Sequence, residues 1–217
     1  MSSNWRSKLD LSISKGLERH SFLPSPMIDD HYRKVKSENI TLVVQVSTSP
    51  IFVAPTQNCV RVRLFLGIKY LPLEELYRAL LLGYKLESLD INIFWTIGVP
   101  FATLGGPVEF IFCKQMTKEE WQAELDHLFE SFEKIALPYF EQNAYDELLL
   151  KNADSQLIGR DGRDLYYKRP VQLFVAGRRD EAIALAEKYL LEIEAGRVVM
   201  KPEQYRFFLE NLKKTLE

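Results

Sequence analysis

Residues 59–69 constrain the fold more than any other part of the chain, because large aliphatic side chains recur there at every second position from Val60 to Ile68. One phase of the alternation contains Val60, Val62, Leu64, Leu66 and Ile68, and the other contains Arg61, Arg63 and Phe65. A period of two residues is that of a β-strand, whose successive side chains point to opposite faces of the sheet. The segment therefore predicts a strand with one face on an apolar core and a second, mixed face.

Three other segments share this period. They are residues 40–49, residues 91–99 and residues 108–114. The stretch that joins the first of them to residues 59–69 contains Pro50 and Pro55 and is typical of a hairpin connection with a long loop. The sequence therefore predicts a four-stranded antiparallel sheet.

Helical periodicity surrounds these strands. Residues 4–20 predict one helix, and Pro72 suits the first turn of another because its missing N–H is not needed there. Thr117 and Glu120 have the spacing of a capping box, which begins a long amphipathic helix that Pro138 is expected to kink or end. The apolar stripe of this helix contains Trp121, Leu125, Leu128, Phe129, Phe132 and Ile135. Such a stripe needs an apolar partner, and we expect it to pack against the sheet.

The last third of the chain is predicted to be helical. After a loop at residues 152–163, helical patterns follow at residues 170–176, at residues 179–195 and from Pro202 onward, with short turns that favour antiparallel packing. Strands cluster early and helices flank them, so the predicted class is α+β rather than an alternating α/β array. We expect an α+β core domain over residues 1–150 and a helical appendage over residues 151–217, packed on that core.

The order of these elements, together with a few short motifs, resembles a bacterial domain family of unknown function. The motifs are residues 17–22, the hairpin over residues 42–68 that ends in Leu66-Gly67-Ile68, the strand that contains Trp95, and Leu137-Pro138-Tyr139-Phe140 at the end of the long helix. The resemblance covers about two thirds of the chain and rests on the order of the elements rather than on a rigid motif. It implies an α+β meander in a bacterial protein and carries over no catalytic residue.

Charge and cysteine content narrow the function classes. The chain has 28 Lys and Arg against 30 Asp and Glu, so its net charge of -2 gives no general attraction to nucleic acid. No apolar run reaches the roughly 18 residues that span a membrane, and the polar N-terminus lacks the apolar segment of a signal peptide. Cys59 and Cys113 each adjoin a strand, where an inert buried thiol is the commoner fate. We therefore expect a cytoplasmic protein that binds neither nucleic acid nor membrane.

No motif for catalysis, a cofactor or a metal is present in the sequence. His20, His31 and His127 are scattered, and the adjacent residues Asp29, Asp30 and His31 cannot all face one ion on a regular element. Neither a nucleophile elbow nor a phosphate-binding loop occurs. We assign no catalytic residue, no cofactor and no metal ligand from the sequence.

The second face of the predicted sheet is the candidate binding surface. It combines two arginines with amide, acidic and aromatic side chains: Val43, Gln45, Ser47, Arg61, Arg63, Phe65, Asn92, Phe94, Thr96, Glu109 and Ile111. Arginine and aromatic residues are enriched at the energetic centres of interfaces. A partly covered sheet face of ordinary mixed composition is the plainer alternative.

Two functions from different classes remain open. The first is a non-catalytic interaction module that binds another protein through this face or through the helical appendage. The second is a small-molecule enzyme with its site on the same face, which requires Arg61, Arg63 and Glu109 to meet on neighbouring strands. Self-association through a sheet edge or the aromatic-rich appendage is a third arrangement. The sequence specifies neither the partner nor the substrate.

Overall fold

A computed structural model describes residues 4–26, 29–52, 58–82, 96–151 and 163–215. Its strands are β1 (Leu23–Pro24), β2 (His31–Val35), β3 (Ile40–Phe52), β4 (Asn58–Tyr70), β5 (Ile97–Pro100) and β6 (Phe110–Cys113). Its α-helices are α1 (Asn4–Arg19), α2 (Leu71–Leu81), α3 (Lys118–Ser131), α4 (Leu137–Asn143), α5 (Asp146–Lys151), α6 (Arg163–Val175), α7 (Arg179–Glu194) and α8 (Pro202–Lys214). A 3₁₀ turn at Phe101–Leu104 follows β5, and a π-helical turn at Phe132–Ala136 joins α3 to α4.

The strands form one six-stranded sheet in the order β1-β2-β3-β4-β5, and β6 also pairs with β4. The pairings of β1 with β2, β2 with β3, and β4 with β6 are antiparallel. The predicted α+β class and antiparallel sheet are confirmed, whereas the prediction of four strands is wrong. The two additional strands, β1 and β2, are short, and Pro24 together with the polar content of His31–Val35 obscures a two-residue apolar period.

The chain divides into two compact units. Unit 1 contains the described residues of Met1–Lys36, Thr41–Gly67 and Val99–Asn143, and unit 2 contains those of Ser37–Ile40, Ile68–Gly98 and Ala144–Glu217. The predicted helical appendage thus shares its unit with α2. The domain boundary that the sequence places at residue 150 stays a prediction.

In unit 1 the long helix packs on the apolar face of the sheet, as predicted. The ring of Trp121 on α3 lies 5.2 Å from that of Phe112 on β6, and His127 lies 5.4 Å from Phe110. The predicted capping box is confirmed, since the Thr117 hydroxyl accepts from the Glu120 N–H and the Glu120 carboxylate accepts from the Thr117 N–H. The helix α3 therefore covers this face of the sheet at β6.

Pro138 does not end the helical run. It lies in the first turn of α4, directly after the π-helical turn, in which the Leu137 N–H donates to the Phe132 carbonyl five residues earlier. In a regular α-helix the proline ring would clash with the carbonyl four residues before it. The wider π turn provides room for that ring, so the helix continues to Asn143.

Unit 2 is built from helices around buried aromatic rings. Gly177 and Gly196 follow α6 and α7 with φ angles of 80° and 70°, a left-handed conformation that glycine adopts without strain. Tyr77 of α2 and Tyr205 of α8 both lie near the buried Tyr167 of α6, with ring centroids 6.1 and 5.1 Å away. Burial raises the pKa of Tyr205 far above its ordinary value. Among the described residues, no helix is both long and apolar enough to cross a membrane.

Candidate binding site

The alternation of β4 is confirmed from Val60 to Leu66, whereas Cys59 and Gly67 in the second phase are buried. Val62 and Leu66 on the core side are fully buried, whereas Arg61, Arg63 and Phe65 on the other side are only half-buried. The period of two thus separates a core face from a second face, as the sequence predicts. The second face of β4 carries the two arginines two residues apart.

The pairing of β6 with β4 brings further residues to this face. Arg61 is the register partner of Ile111, and Cys59 is the register partner of Cys113. Because partners in a ladder point to the same side of the sheet, Ile111 shares the face of Arg61. Glu109, two residues before Ile111, lies in the segment that leads into β6.

The carboxylate of Glu109 meets both guanidinium groups. Its Oε2 accepts a hydrogen bond from Arg63 Nη2 at 3.0 Å and lies 3.5 Å from Arg61 Nη1. The side chains of Arg61, Arg63 and Glu109 are 32%, 42% and 27% exposed, respectively. The Nε atoms of both arginines are shielded from solvent and have no hydrogen-bond partner among the described residues. Two positive charges therefore share one negative charge at a half-exposed position.

Apolar side chains border this charged group. Ile111 is 41% exposed, and Val108, in the segment before Glu109, is also exposed. We call Arg61, Arg63, Glu109 and Ile111 the arginine face. It combines an excess of guanidinium donors with an uncovered apolar side chain.

A disulfide between Cys59 and Cys113 lies on the same side of the sheet. The Ile111 N–H donates to Glu124 Oε1 at 2.9 Å and the Cys113 N–H donates to Met116 Sδ at 3.1 Å, so both point away from β4. The two residues consequently belong to non-hydrogen-bonded pairs, in which side chains come closest. The Cα atoms of the two cysteines are 4.0 Å apart.

The expectation of two inert buried thiols is wrong, because the pairing of β6 with β4 makes the cysteines cross-strand neighbours. The order of the strands, which sequence periodicity does not reveal, decides the outcome. Disulfides persist mainly in oxidising compartments. The cytoplasmic location stays a prediction, and it loses the support that free thiols would give it.

The other predicted site residues are distributed differently. Gln45 is half-buried on β3 opposite His31 of β2, and Phe65 is half-buried on β4 in phase with the arginines. Asn92 and Phe94 lie outside the described residues. Thr96 does not belong to an open face, since it is 1% exposed.

Thr96 belongs instead to a buried charged network in unit 2 that the sequence did not indicate. Its hydroxyl accepts from the Tyr70 N–H at 2.8 Å and donates to Glu74 Oε1 at 2.9 Å. Lys168 Nζ donates to both oxygens of Glu74, at 2.8 and 3.1 Å. Glu74 stands at a helix start, where a carboxylate normally complements the helix dipole, and Lys168 stands next to another basic residue. The sequence around Glu74 and around Lys168 therefore gives no indication that these two side chains are buried.

A small half-open pocket lies on the opposite side of β4, between α1 and the strands. Its lining residues are Arg6, Leu9, Asp10, Thr48, Ser49, Pro50 and Val60, and its volume is about 110 Å³, room for a few water molecules. Burial raises the pKa of the Asp10 carboxyl, the nearby Asp30 raises it further, and Arg6 opposes this rise. Among the described residues, no group of three or more His, Cys, Asp or Glu side chains is placed to hold a metal ion.

No protein-family model matches the chain, and comparisons with curated proteins and with solved structures gave no match. The resemblance to a bacterial domain family therefore stays a prediction. Function has to be argued from the geometry of the site alone.

Proposed function

We propose that this protein binds another protein through the arginine face, as a non-catalytic interaction module. The observation that carries the proposal is the sharing of one carboxylate by two half-exposed guanidinium groups beside an exposed isoleucine. Arginine is weakly hydrated and offers five donors in a rigid fork, which makes it the favoured cation at interfaces. A partner that covers the face would bury Ile111 and use donors that Glu109 leaves unused.

The position of the face on the sheet supports this function. Side chains on the other side of β4 are buried, so the second face is the side of this strand that a partner can reach. The outer edge of β6 is less suitable, because Glu124 and Met116 already accept from its N–H groups. At the other end of the sheet, β1 has only two residues, one of which is Pro24. We therefore expect the side chains of the arginine face to make the contact. A partner strand that pairs with either of these two edges is the less suitable arrangement.

The sharpest test is a double charge reversal, Arg61→Glu with Arg63→Glu. The full chain is immobilised, incubated with lysate of its source cells, and the captured material is identified by native mass spectrometry. We expect a stoichiometric second protein on the wild type and none on the variant. The control is Lys15→Glu with Arg19→Glu, which makes the same charge change at two exposed positions of α1 and should leave capture intact.

Circular dichroism melting separates lost binding from lost folding. The double reversal is expected to melt somewhat below the wild type but to stay folded. Each lost, partly exposed ion pair contributes about 0.2–1 kcal/mol, and repulsion between Glu109 and the new carboxylates destabilises the fold further. A folded Arg61→Glu, Arg63→Glu variant that captures as much partner as the wild type would refute the proposed function.

An enzyme acting on an anionic small molecule is the second candidate. One observation favours it: Arg61 and Arg63 both contact Glu109. An enzyme of this kind would need two groups that bind the anion and a carboxyl group that acts as general acid or base. A protein recovered without a partner but with a small additional mass, removed by the double reversal, would support this candidate over the first. Small-molecule sites are usually concave, and the half exposure of all three side chains is the reason we place this function second.

A further inference from the structure

We infer that the partner presents a carboxylate to Arg61 and Arg63, and that Glu109 occupies the place of that carboxylate in the unbound protein. The inference rests on the proposed function and adds the chemistry of the partner. It also gives Glu109 the role of an internal competitor rather than that of a binding residue. The observations that support it are the charge balance, the hydrogen-bond geometry, the location of Glu109 and the neighbouring apolar side chains.

The charge balance of the arginine face is incomplete. Two guanidinium groups face one carboxylate, so one positive charge is left over for a ligand. The chain as a whole carries a net charge of -2, so the local excess is not part of a general positive surface. An anionic group of limited size fits this surface better than an extended polyanion does.

The hydrogen bonds that Glu109 makes are fewer than the arginines can offer. A guanidinium group and a carboxylate can form two parallel hydrogen bonds, with one oxygen for each N–H. Here a single oxygen, Oε2, serves both arginines through their Nη atoms, at 3.0 and 3.5 Å, and neither Nε has a partner among the described residues. Because both Nε atoms are shielded from solvent, a second carboxylate would pair with the Nη groups, to which Glu109 presents only one oxygen.

The location of Glu109 allows its side chain to give way. It lies just before β6 and outside the ladder, and the contacts that the structure describes for its carboxylate are those with the two arginines. Its side chain is partly exposed, so solvent can stabilise the carboxylate after it leaves. Exchange of one partly exposed ion pair for another changes the folded protein little.

The apolar neighbours define the rest of the ligand. Ile111 lies opposite Arg61 in the ladder, and Val108 precedes Glu109. A ligand that covers them needs apolar side chains next to its carboxylate. The chemistry that fits is a protein segment in which Asp or Glu alternates with large apolar residues, rather than a free small anion.

The test uses a library of random peptides displayed on phage and selected against the full chain. We expect enrichment of sequences that place Asp or Glu beside Leu, Ile, Val or Phe. Enrichment should persist with Lys15→Glu, Arg19→Glu and vanish with Arg61→Glu, Arg63→Glu. Selected sequences with no excess of acidic residues would overturn the inferred partner chemistry.

The competitor role is tested with Glu109→Gln and one enriched peptide, whose affinity is measured by fluorescence anisotropy. Glutamine keeps the size and an acceptor for the arginines but removes the competing charge. We expect binding to tighten about two- to fivefold, the factor that corresponds to the loss of one partly exposed ion pair. The same peptide with Gln and Asn in place of its acids should bind weakly to both proteins.

The possible failures are distinguishable. Weaker or unchanged binding by Glu109→Gln means that the carboxylate positions the arginines, and the competitor role is then refuted while the proposed function stands. If citrate, a small anion with three carboxylates, displaces the peptide as well as a peptide competitor does, the surface recognises small anions and the enzyme candidate gains. Undiminished capture by Arg61→Glu, Arg63→Glu refutes the proposed function itself.

Discussion

The protein pairs carboxylates with basic side chains in two contrasting surroundings. In unit 1, Glu109 is shared by Arg61 and Arg63 at a half-exposed position. In unit 2, Glu74 pairs with Lys168, which is 1% exposed, and both oxygens of the carboxylate are engaged. One oxygen of the carboxylate thus meets the basic side chains in unit 1, whereas in unit 2 both oxygens accept hydrogen bonds.

The difference shows how burial separates structural from functional charges. A buried ion pair has lost its water, so each partner depends on the other, and removal of one leaves a charge in the protein interior. A half-exposed pair keeps part of its water and contributes little to stability. We therefore interpret Glu74 and Lys168 as a link between α2 and α6, and we interpret the arginine face as available for binding.

The largest effect is expected from Lys168→Met. This change leaves the Glu74 carboxylate buried with only the Thr96 hydroxyl as a hydrogen-bond donor from this network, and we expect the free energy of unfolding to fall by about 3–5 kcal/mol. Urea unfolding followed by circular dichroism measures it. If the free energy of unfolding fell by less than about 1 kcal/mol, the contribution of a surface ion pair, the interpretation of Lys168 as a structural residue would be contradicted.

A double variant, Glu74→Gln with Lys168→Met, is the matched control. It removes both charges, keeps an acceptor for the Thr96 hydroxyl and fills the space with an apolar side chain of similar length. Because a buried pair can often be replaced by uncharged groups at little cost, most of the lost stability should return. If the double variant is as unstable as Lys168→Met, the loss arises from packing and not from the unpaired charge.

The disulfide is expected to have the next largest effect. It joins residues that are 54 positions apart, and the chain-entropy argument gives about 4 kcal/mol for a loop of that size, of which about 2–4 kcal/mol is typically measured. Cys59→Ala with Cys113→Ala should lower the stability of the oxidised protein by that amount. Wild-type protein reduced with dithiothreitol should behave similarly, whereas the double variant should not respond to reductant.

Such a loss would mean that the arginine face is stabilised by the covalent bond beside it rather than by its ion pairs. Equal urea midpoints for the oxidised and reduced wild type would contradict it. Phe110 and Phe112 of β6 would then hold the strand in place through their burial alone.

The smallest effect is expected from Arg63→Gln. It removes the shorter contact with Glu109 but leaves Arg61 as a partner, so the free energy of unfolding should fall by about 0.2–1 kcal/mol. The same urea measurement applies, with Lys15→Gln as the surface control. A loss as large as that of Lys168→Met would remove the distinction between the two charged groups.

Much of the fold follows from local sequence patterns. The alternation of β4, the capping box of α3 and the helix starts near Pro72 and Pro202 depend on neighbouring residues, and the structure confirms each of them. The sequence does not indicate strand β2, because its five residues have a largely polar composition. Local periodicity identifies long elements well and short edge elements poorly.

The candidate site was predictable only in part. The phase of β4 placed Arg61 and Arg63 on one face, and the phase of the fourth predicted strand placed Glu109 near them. The disulfide and the burial of Thr96 depend instead on which strands and helices are neighbours, and that information is distributed over distant parts of the chain. The sequence likewise does not reveal that Lys168 is buried, because the burial of a charged side chain depends on distant residues that pair with it, such as Glu74.

The π-helical turn at Phe132–Ala136 has a consequence for how the length of this chain can vary. The turn holds one residue more than an α-helical turn would, because its hydrogen bond spans five residues. Deletion of a single residue there would restore α-helical bonding without turning the residues that follow to another face, because the π turn absorbs one additional residue. The ring of Pro138 would then clash with the carbonyl four residues before it. Such a deletion should therefore be tolerated less than the preserved contact of Phe140 with Phe22 in the core suggests.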